Sequence, residues 1–278
     1  MLSHTFAICA YRESPYLEAC IRSLKRQTVK TGIILCTSTP GVFLEEMAAR
    51  YELPLYIREG ASDIQEDWNF AYGKADTELV TLAHQDDCYH KDYARTVLEC
   101  WERYPDTTVF MTDCRVRKEK TDSGQTADMP GRPGQSERPQ KPDLVWRVKR
   151  LLRLPLRFHS LCHLTWVKRA ALCFGNPVIC PSCTYHKGYL GTPLFRSPYK
   201  FALDWDTLWR LAGQPGRFLC VERPLICYRI HEGATTKACI DNCQRARDEA
   251  DMYRKIWPEP VVRVLMHFYK KAYKAYEE

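Results

Sequence analysis

Five short apolar runs alternate with segments whose apolar residues recur at helical spacing over the first 112 residues. The runs at residues 5–10, 32–36, 55–57, 78–83 and 108–112 read as strands. The segments at 13–28, 42–51, 63–74 and 92–103 read as helices. Asp63-Ile64-Gln65-Glu66 resembles a capping box that opens the third helix. Such alternation specifies an α/β domain around a largely parallel sheet. Ligands of such sheets bind outside the carboxyl ends of the strands. The residues to watch are therefore Tyr11-Arg12-Glu13, Thr37-Ser38 and Asp86-Asp87, each just after a strand.

The chain has 278 residues, 45% of them hydrophobic, enough for a substantial core in one large domain or two small ones. No run approaches the roughly 18 apolar residues of a membrane span, and the first residues do not read as a signal peptide. Forty-one basic against thirty-four acidic residues give +7, which suits an anionic ligand or surface and does not call for nucleic acid. Fourteen cysteines are too few for a disulfide scaffold and read as reduced thiols, mostly in the core. Residues 122–142 hold four prolines, three glycines and no aromatic, and read as a mobile loop. Two basic amphipathic stretches follow. Residues 144–158 carry Arg147, Lys149, Arg150, Arg153 and Arg157, and residues 261–276 carry Arg263, Lys270, Lys271 and Lys274. Each fits a helix lying on an anionic membrane surface, or one packed on the core with its basic stems snorkelling outward.

Three constellations suit chemistry. Adjacent carboxylates at a strand end, Asp86-Asp87, repel unless a cation or hydrogen-bond donors neutralise them, and hard divalent ions commonly bridge such carboxylates to phosphates. They also suit a solvated turn. Asp204, in Leu203-Asp204-Trp205-Asp206, sits at the start of an apolar helix, either as a cap or as a general base among large apolar groups. Alternation in Tyr228-Arg229-Ile230-His231 puts Arg229 and His231 on one side of an extended segment, fit to meet a pyrophosphate and its metal. Cys180-Pro181-Ser182-Cys183 has the spacing of half a zinc site, but no second pair stands at a matching distance.

Taken in order, Ala10-Tyr11-Arg12-Glu13, Asp67-Trp68-Asn69, Asp86-Asp87, Leu203-Asp204-Trp205-Asp206 and Tyr228-Arg229-Ile230-His231 resemble family 2 glycosyltransferases, from about residue 3 to about residue 240. The segment from Asn176 to Ser182 is similar to the acceptor-side segment of bacterial members. The resemblance implies a GT-A fold: a nucleotide-sugar-binding half (1–115), the loop (116–143), an acceptor-side half (144–240) and a helical C-terminal extension (241–278). It also implies inverting transfer from a nucleotide-sugar, UDP-linked by preference, to a glycan or lipid-linked acceptor. The setting would be cytoplasmic, on or near the inner face of the membrane. By matching, Asp87 holds Mn²⁺ or Mg²⁺ with His231 close to metal and pyrophosphate. Asp86 contacts ribose or metal, Tyr11 packs on the base, and Ala10, Arg12, Glu13, Ser38, Asp67 and Asn69 line the nucleotide pocket. Asp204 is the catalytic base, and Trp205, Asp206 and Arg229 face the acceptor. The chain departs from the family where the second strand ends Leu35-Cys36-Thr37-Ser38-Thr39 without the usual Asp, and where Arg12 replaces a common Asn. A relative that kept the pocket but lost catalysis, serving as a binding or membrane-surface scaffold, is the alternative.

Overall fold

The computed structural model describes residues 3–118, 144–231 and 243–271. The first part runs β1 (His4–Ala10), α1 (Leu17–Lys25), β2 (Gly32–Thr37), α2 (Val42–Arg50), β3 (Leu55–Ile57), α3 (Ile64–Lys74), β4 (Leu79–His84), β5 (Cys88–Tyr89), α4 (Tyr93–Arg103) and β6 (Thr107–Lys118). The second part runs α5 (Leu144–Leu152), a 3-10 turn (Leu154–Arg157), α6 (Thr165–Leu172), β7 (Thr184–His186), α7 (Lys187–Leu190), α8 (Leu203–Ala212), β8 (Arg217–Ile230), α9 (Gln244–Arg254) and α10 (Glu259–Lys271). The five expected strands and four expected helices are all present. The capping-box residue Asp63 accepts from the N–H groups of Gln65 and Glu66 and so starts α3.

One eight-stranded sheet has the order β3-β2-β1-β4-β7-β6-β8-β5. Strands β3, β2, β1 and β4 are parallel, as are β6 and β8. β7 is antiparallel between β4 and β6, and β5 is antiparallel on β8. These two strands have three and two residues, too short for any periodic signal. The first helix starts at Leu17, not at residue 13, because Ser14 turns inward: its hydroxyl donates to Asp86 and accepts from the Tyr16 N–H. The expected loop 116–143 loses its first three residues to β6, and the rest of it lies outside the described residues. No helix among the described residues is long and apolar enough to cross a membrane.

Aromatic edges lock the sheet to α4. Phe6 lies 5.1 Å from Tyr89 and 5.6 Å from Tyr93, and Tyr93 lies 5.9 Å from Phe110. A buried polar chain crosses the same layer. His4 Nδ1 is 2.7 Å from the Thr31 hydroxyl and Nε2 is 2.8 Å from that of Thr81. Thr81 continues to Thr184 at 2.6 Å, and Thr184 to the Tyr93 hydroxyl at 3.0 Å. Burial lowers the His4 pKa to about 3, so the ring is neutral in the fold. Below its ordinary pKa of about 6.5 the unfolded chain binds a proton that the fold refuses, so stability falls as pH drops from there toward 3. We expect the Tm advantage of wild type over His4→Gln to shrink steadily between pH 6.5 and pH 4. A constant difference in thermal melts would refute a neutral His4.

Candidate active site

A cavity of about 530 Å³ opens at the carboxyl ends of β1, β2 and β4, where parallel strands expose their last residues, and runs to α5 and α8. One rim of it is a crossed pair of loops. The Tyr11 N–H donates to Gln85 Oε1 at 3.0 Å, and Gln85 Nε2 returns a bond to the Tyr11 carbonyl at 3.0 Å. Arg12 takes a left-handed φ of 53°, held by its N–H on the Thr39 hydroxyl at 2.7 Å. Ala10 and Tyr11 line the cavity, and the Tyr11 ring is 46% exposed with the Arg12 guanidinium 5.0 Å from its centroid. Glu13 is exposed on the same loop.

After β4 the chain turns so that Asp86 and Asp87 face different partners. Asp86 Oδ1 accepts from Ser14 at 2.7 Å, and its Oδ2 is 3.3 Å from His231 Nε2. Burial lifts the Asp86 pKa, but the His231 and Ser14 contacts outweigh it and hold the carboxyl below its usual range. Asp87 is only 2% exposed, and its Oδ1 accepts from the Arg229 N–H at 2.9 Å. Burial, reinforced by the neighbouring Asp86, pushes its pKa up to about 8 despite the Arg229 N–H. The His84 Nε2 nitrogen at this end is buried without a hydrogen-bond partner among the described residues. A carboxyl short of positive charge, with one unsatisfied imidazole nearby, fits a hard divalent cation. Among the described residues no three His, Cys, Asp or Glu side chains converge as ligands, so such an ion would complete its shell with phosphate oxygens and water.

Asp67, expected in the nucleotide pocket, lines the cavity and is triply held. Its Oδ1 accepts from Arg58 at 2.7 Å, and its Oδ2 accepts from Ser38 at 2.9 Å and Ser62 at 2.8 Å. A carboxylate thus stands beside the end of β2, although that strand ends in hydroxyl residues. Asn69 turns elsewhere: both its amide atoms pair with the Phe195 backbone at 2.8 Å, joining α3 to the loop before α8.

The other wall centres on Asp204 in the first turn of α8. Its Oδ1 accepts from the Trp205 N–H at 2.7 Å and its Oδ2 from Asn176 Nδ2 at 2.8 Å. Asn176 Oδ1 is fixed by the Val178 N–H at 3.0 Å, which orients the amide so that its NH₂ meets the carboxylate. Lys149 donates to the Asn176 carbonyl at 3.0 Å. Burial raises the Asp204 pKa against the pull of the Trp205 N–H, Lys149 and Asn176. Burial, then the positive charge of Arg245, lowers that of Lys149 to about 8. A half-buried carboxylate of raised basicity, with its lone pairs aimed by two donors, is equipped to take a proton.

Of the three residues expected on the acceptor side, Trp205 and Arg229 line the cavity and Asp206 does not. Arg229 donates from Nε to the Asp86 carbonyl at 2.9 Å and lies 4.4 Å from the Tyr16 centroid, so it braces the carboxylate pair. His231 packs on the same Tyr16 ring at 4.9 Å, which agrees with the two sharing one side of the strand. Asp206 pairs with Lys255 at 2.7 Å on α9. Trp205 is buried, with its indole N–H on the Leu172 carbonyl at 3.0 Å. Among the cavity residues, Asn176 reads from sequence only as the start of an acceptor-side segment, and His84, Gln85 and Lys149 have no site role there. The last was concealed within a stretch read only for its charge.

A protein-family model described as glycosyl transferase family 2 matches residues 5–147. Solved structures of like fold include a mannosyltransferase, PcManGT, from Pyrobaculum calidifontis in complex with GDP-Man and Mn²⁺, 14% identical over 95% of this chain and 68% of that one, TM-score 0.57. A second is glucosyl-3-phosphoglycerate synthase from Mycobacterium tuberculosis with Mn²⁺, UDP and glucosyl-3-phosphoglycerate, 12% identical over 92% and 80%, TM-score 0.57. A third is S. aureus TarS 1-349 in complex with UDP-GlcNAc, 13% identical over 84% of this chain, TM-score 0.55. The present chain spans about 60% of that TarS fragment. No curated protein matches the sequence. The sheet and helices share the GT-A architecture of these enzymes, and with a family model spanning more than half its length the chain belongs to glycosyl transferase family 2.

Proposed function

We propose that this chain transfers a sugar, with inversion, from a nucleoside-diphosphate sugar (UDP-linked by preference) to a hydroxyl of a glycan or lipid-linked acceptor. The observation that carries this reading is one cavity lined both by the Asp86-Asp87 pair and by the basic, oriented carboxylate of Asp204. UDP, UDP-GlcNAc and GDP-Man bound in the neighbouring structures support a nucleotide-sugar donor. Held by Asp87 with Asp86 and His231 beside it, Mn²⁺ or Mg²⁺ would supply Lewis-acid neutralisation of the charge that grows on the departing diphosphate. Arg229 braces that turn from behind, keeping both carboxylates in place. The exposed Tyr11 ring packs on the nucleobase, and Asp67 beside Ser38 offers the nucleotide a carboxylate at the end of β2. Asp204 takes the proton from the acceptor hydroxyl as it attacks, and in-line displacement inverts the anomeric centre. The thirteen cysteines among the described residues are free thiols, which suits a reducing cytoplasmic setting.

A thermal-shift panel of nucleoside diphosphates and nucleotide-sugars, each with Mn²⁺ and with EDTA, tests this. Ligand at about 100 times its Kd should stabilise by about 2.7 kcal/mol, for one nucleotide family and only with metal. No shift with any nucleotide on folded protein would sink the reading in favour of a scaffold that has lost its donor site.

A further inference from the structure

From Leu144 to Leu203 the chain has no Asp or Glu, yet ten Lys and Arg. This span also carries a strip of large apolar side chains turned to solvent. Val148, Leu151, Leu154, Phe158, Leu161 and Trp166 recur every three to five residues along α5, the 3-10 turn and α6, and Leu151, Phe158 and Trp166 are 65%, 58% and 65% exposed. The elements that bear them pack on one another: α6 touches both α5 and the turn. Nearly half of the exposed large apolar residues found among the described residues thus fall within nineteen positions. Solvated apolar side chains on this scale mark an interaction site.

The charges around the strip identify the partner. Arg150 and Arg153 both pair with Asp113, at 2.7 and 2.6 Å, so two guanidiniums share one carboxylate and positive charge is left over. Arg147 is exposed on the same helix, and Arg157 meets Glu222 at the rim. A mixed-charge protein surface would be expected to meet some acid in the recognising face, and α5, the turn and α6 contain none. Trp, Phe and Leu side chains interleaved with Arg are the composition that settles into the headgroup layer of a bilayer carrying anionic lipids. The basic amphipathic reading of residues 144–158 therefore divides in two. Lys149 and Arg153 turn inward to bond with protein, while Val148, Leu151, Leu154 and Phe158 turn outward.

We infer that the face formed by α5, the 3-10 turn and α6 docks on an anionic lipid surface. Trp146 and Lys149, on α5 itself, line the cavity beside Asp204, so docking brings the acceptor wall of the cavity to the headgroup layer. On the proposed transferase function, and resting on it for this step alone, the acceptor is then one held at the membrane by a lipid.

Co-sedimentation of the full chain with vesicles tests the surface without reference to activity. Vesicles of phosphatidylglycerol with phosphatidylcholine are expected to bind the protein at least about tenfold more tightly than phosphatidylcholine alone, with binding weakened by salt. The triple variant Leu151→Glu, Phe158→Glu, Trp166→Glu should lose that binding while keeping the wild-type Tm and the nucleotide-dependent thermal shift. Arg147→Glu, which leaves the apolar strip untouched, should weaken it in part. Absence of binding to either vesicle overturns the inference, and equal binding to both overturns its anionic assignment. A wild-type dimer in light scattering that becomes monomeric in the triple variant, with no vesicle binding, also overturns it and gives the face to a second copy. A thermal shift that survives while vesicle binding fails would reject the surface and leave the donor site standing.

Discussion

Asp204→Asn is expected to slow sugar transfer by about 10²–10⁴-fold while leaving donor affinity unchanged, because the substitution removes the proton acceptor and, with it, only the bond that Oδ2 accepts from Asn176. An asparagine at this position still offers an oxygen to the Trp205 N–H that now bonds Oδ1 at 2.7 Å, so the helix start survives. The split between chemistry and binding separates a base from a helix cap. A cap that matters only for folding would show its loss in Tm, and a loss of donor binding would move Asp204 out of the base role. Asn176→Ala sharpens the test. It frees Asp204 Oδ2 from its 2.8 Å donor but keeps the carboxylate, so it should cost about 10–100-fold, the worth of one hydrogen bond to a charged group. Its pH profile should also move. Asn176 pulls the Asp204 pKa down against the burial that raises it, so the rising limb of rate against pH shifts to higher pH in the variant. Donor titration and initial rates on the same preparations check both claims.

The second large effect is a change of sign. Asp87→Asn should stabilise the protein without metal and abolish its stabilisation by metal and donor. The Asp87 carboxyl, pushed up to about 8 by burial and by Asp86, keeps its proton in the fold after the unfolded chain has lost it near pH 4. Between those pH values the unfolded state binds fewer protons, so stability falls as pH rises, and near neutrality the carboxyl costs the fold stability. Asparagine keeps an oxygen for the Arg229 N–H and carries no charge to desolvate. Each kcal/mol recovered should raise Tm by about 2–4 °C in EDTA. With Mn²⁺ and a saturating nucleotide, wild type should gain about 5–10 °C and the variant almost nothing. A variant that melts lower than wild type in EDTA would mean that Asp87 serves the fold and is not held in reserve for a cation.

The two halves of the molecule differ in how much of them can be read from residues in order. Strands β1, β2 and β4 announce themselves as short apolar runs that the core buries, their helices by apolar residues at helical spacing, and the capping Asp63 sits within its own helix turn. The residues after those strands, Tyr11 and Asp86-Asp87, are likewise legible, since a parallel sheet exposes its carboxyl edge whatever the rest of the chain does. The residues around Asp204 are not. Lys149 reads as one charge in a basic helix until the fold points it at Asn176, and Asn176 reads only as the start of an acceptor-side segment until its amide meets a carboxylate 28 positions away.

Sequence alone therefore determined the α/β alternation, the edge of the sheet where ligands bind and the carboxylates that stand there, because those follow from short-range periodicity and burial. Tertiary structure alone decided the antiparallel insertion of β7, the meeting of Ser38 with Asp67, the turning of Arg229 onto an Asp86-Asp87 turn more than 140 residues away, and the outward face of α5. Such pairings join groups distant in the chain, and no local pattern records which of several equally polar side chains a packed core will bring into reach.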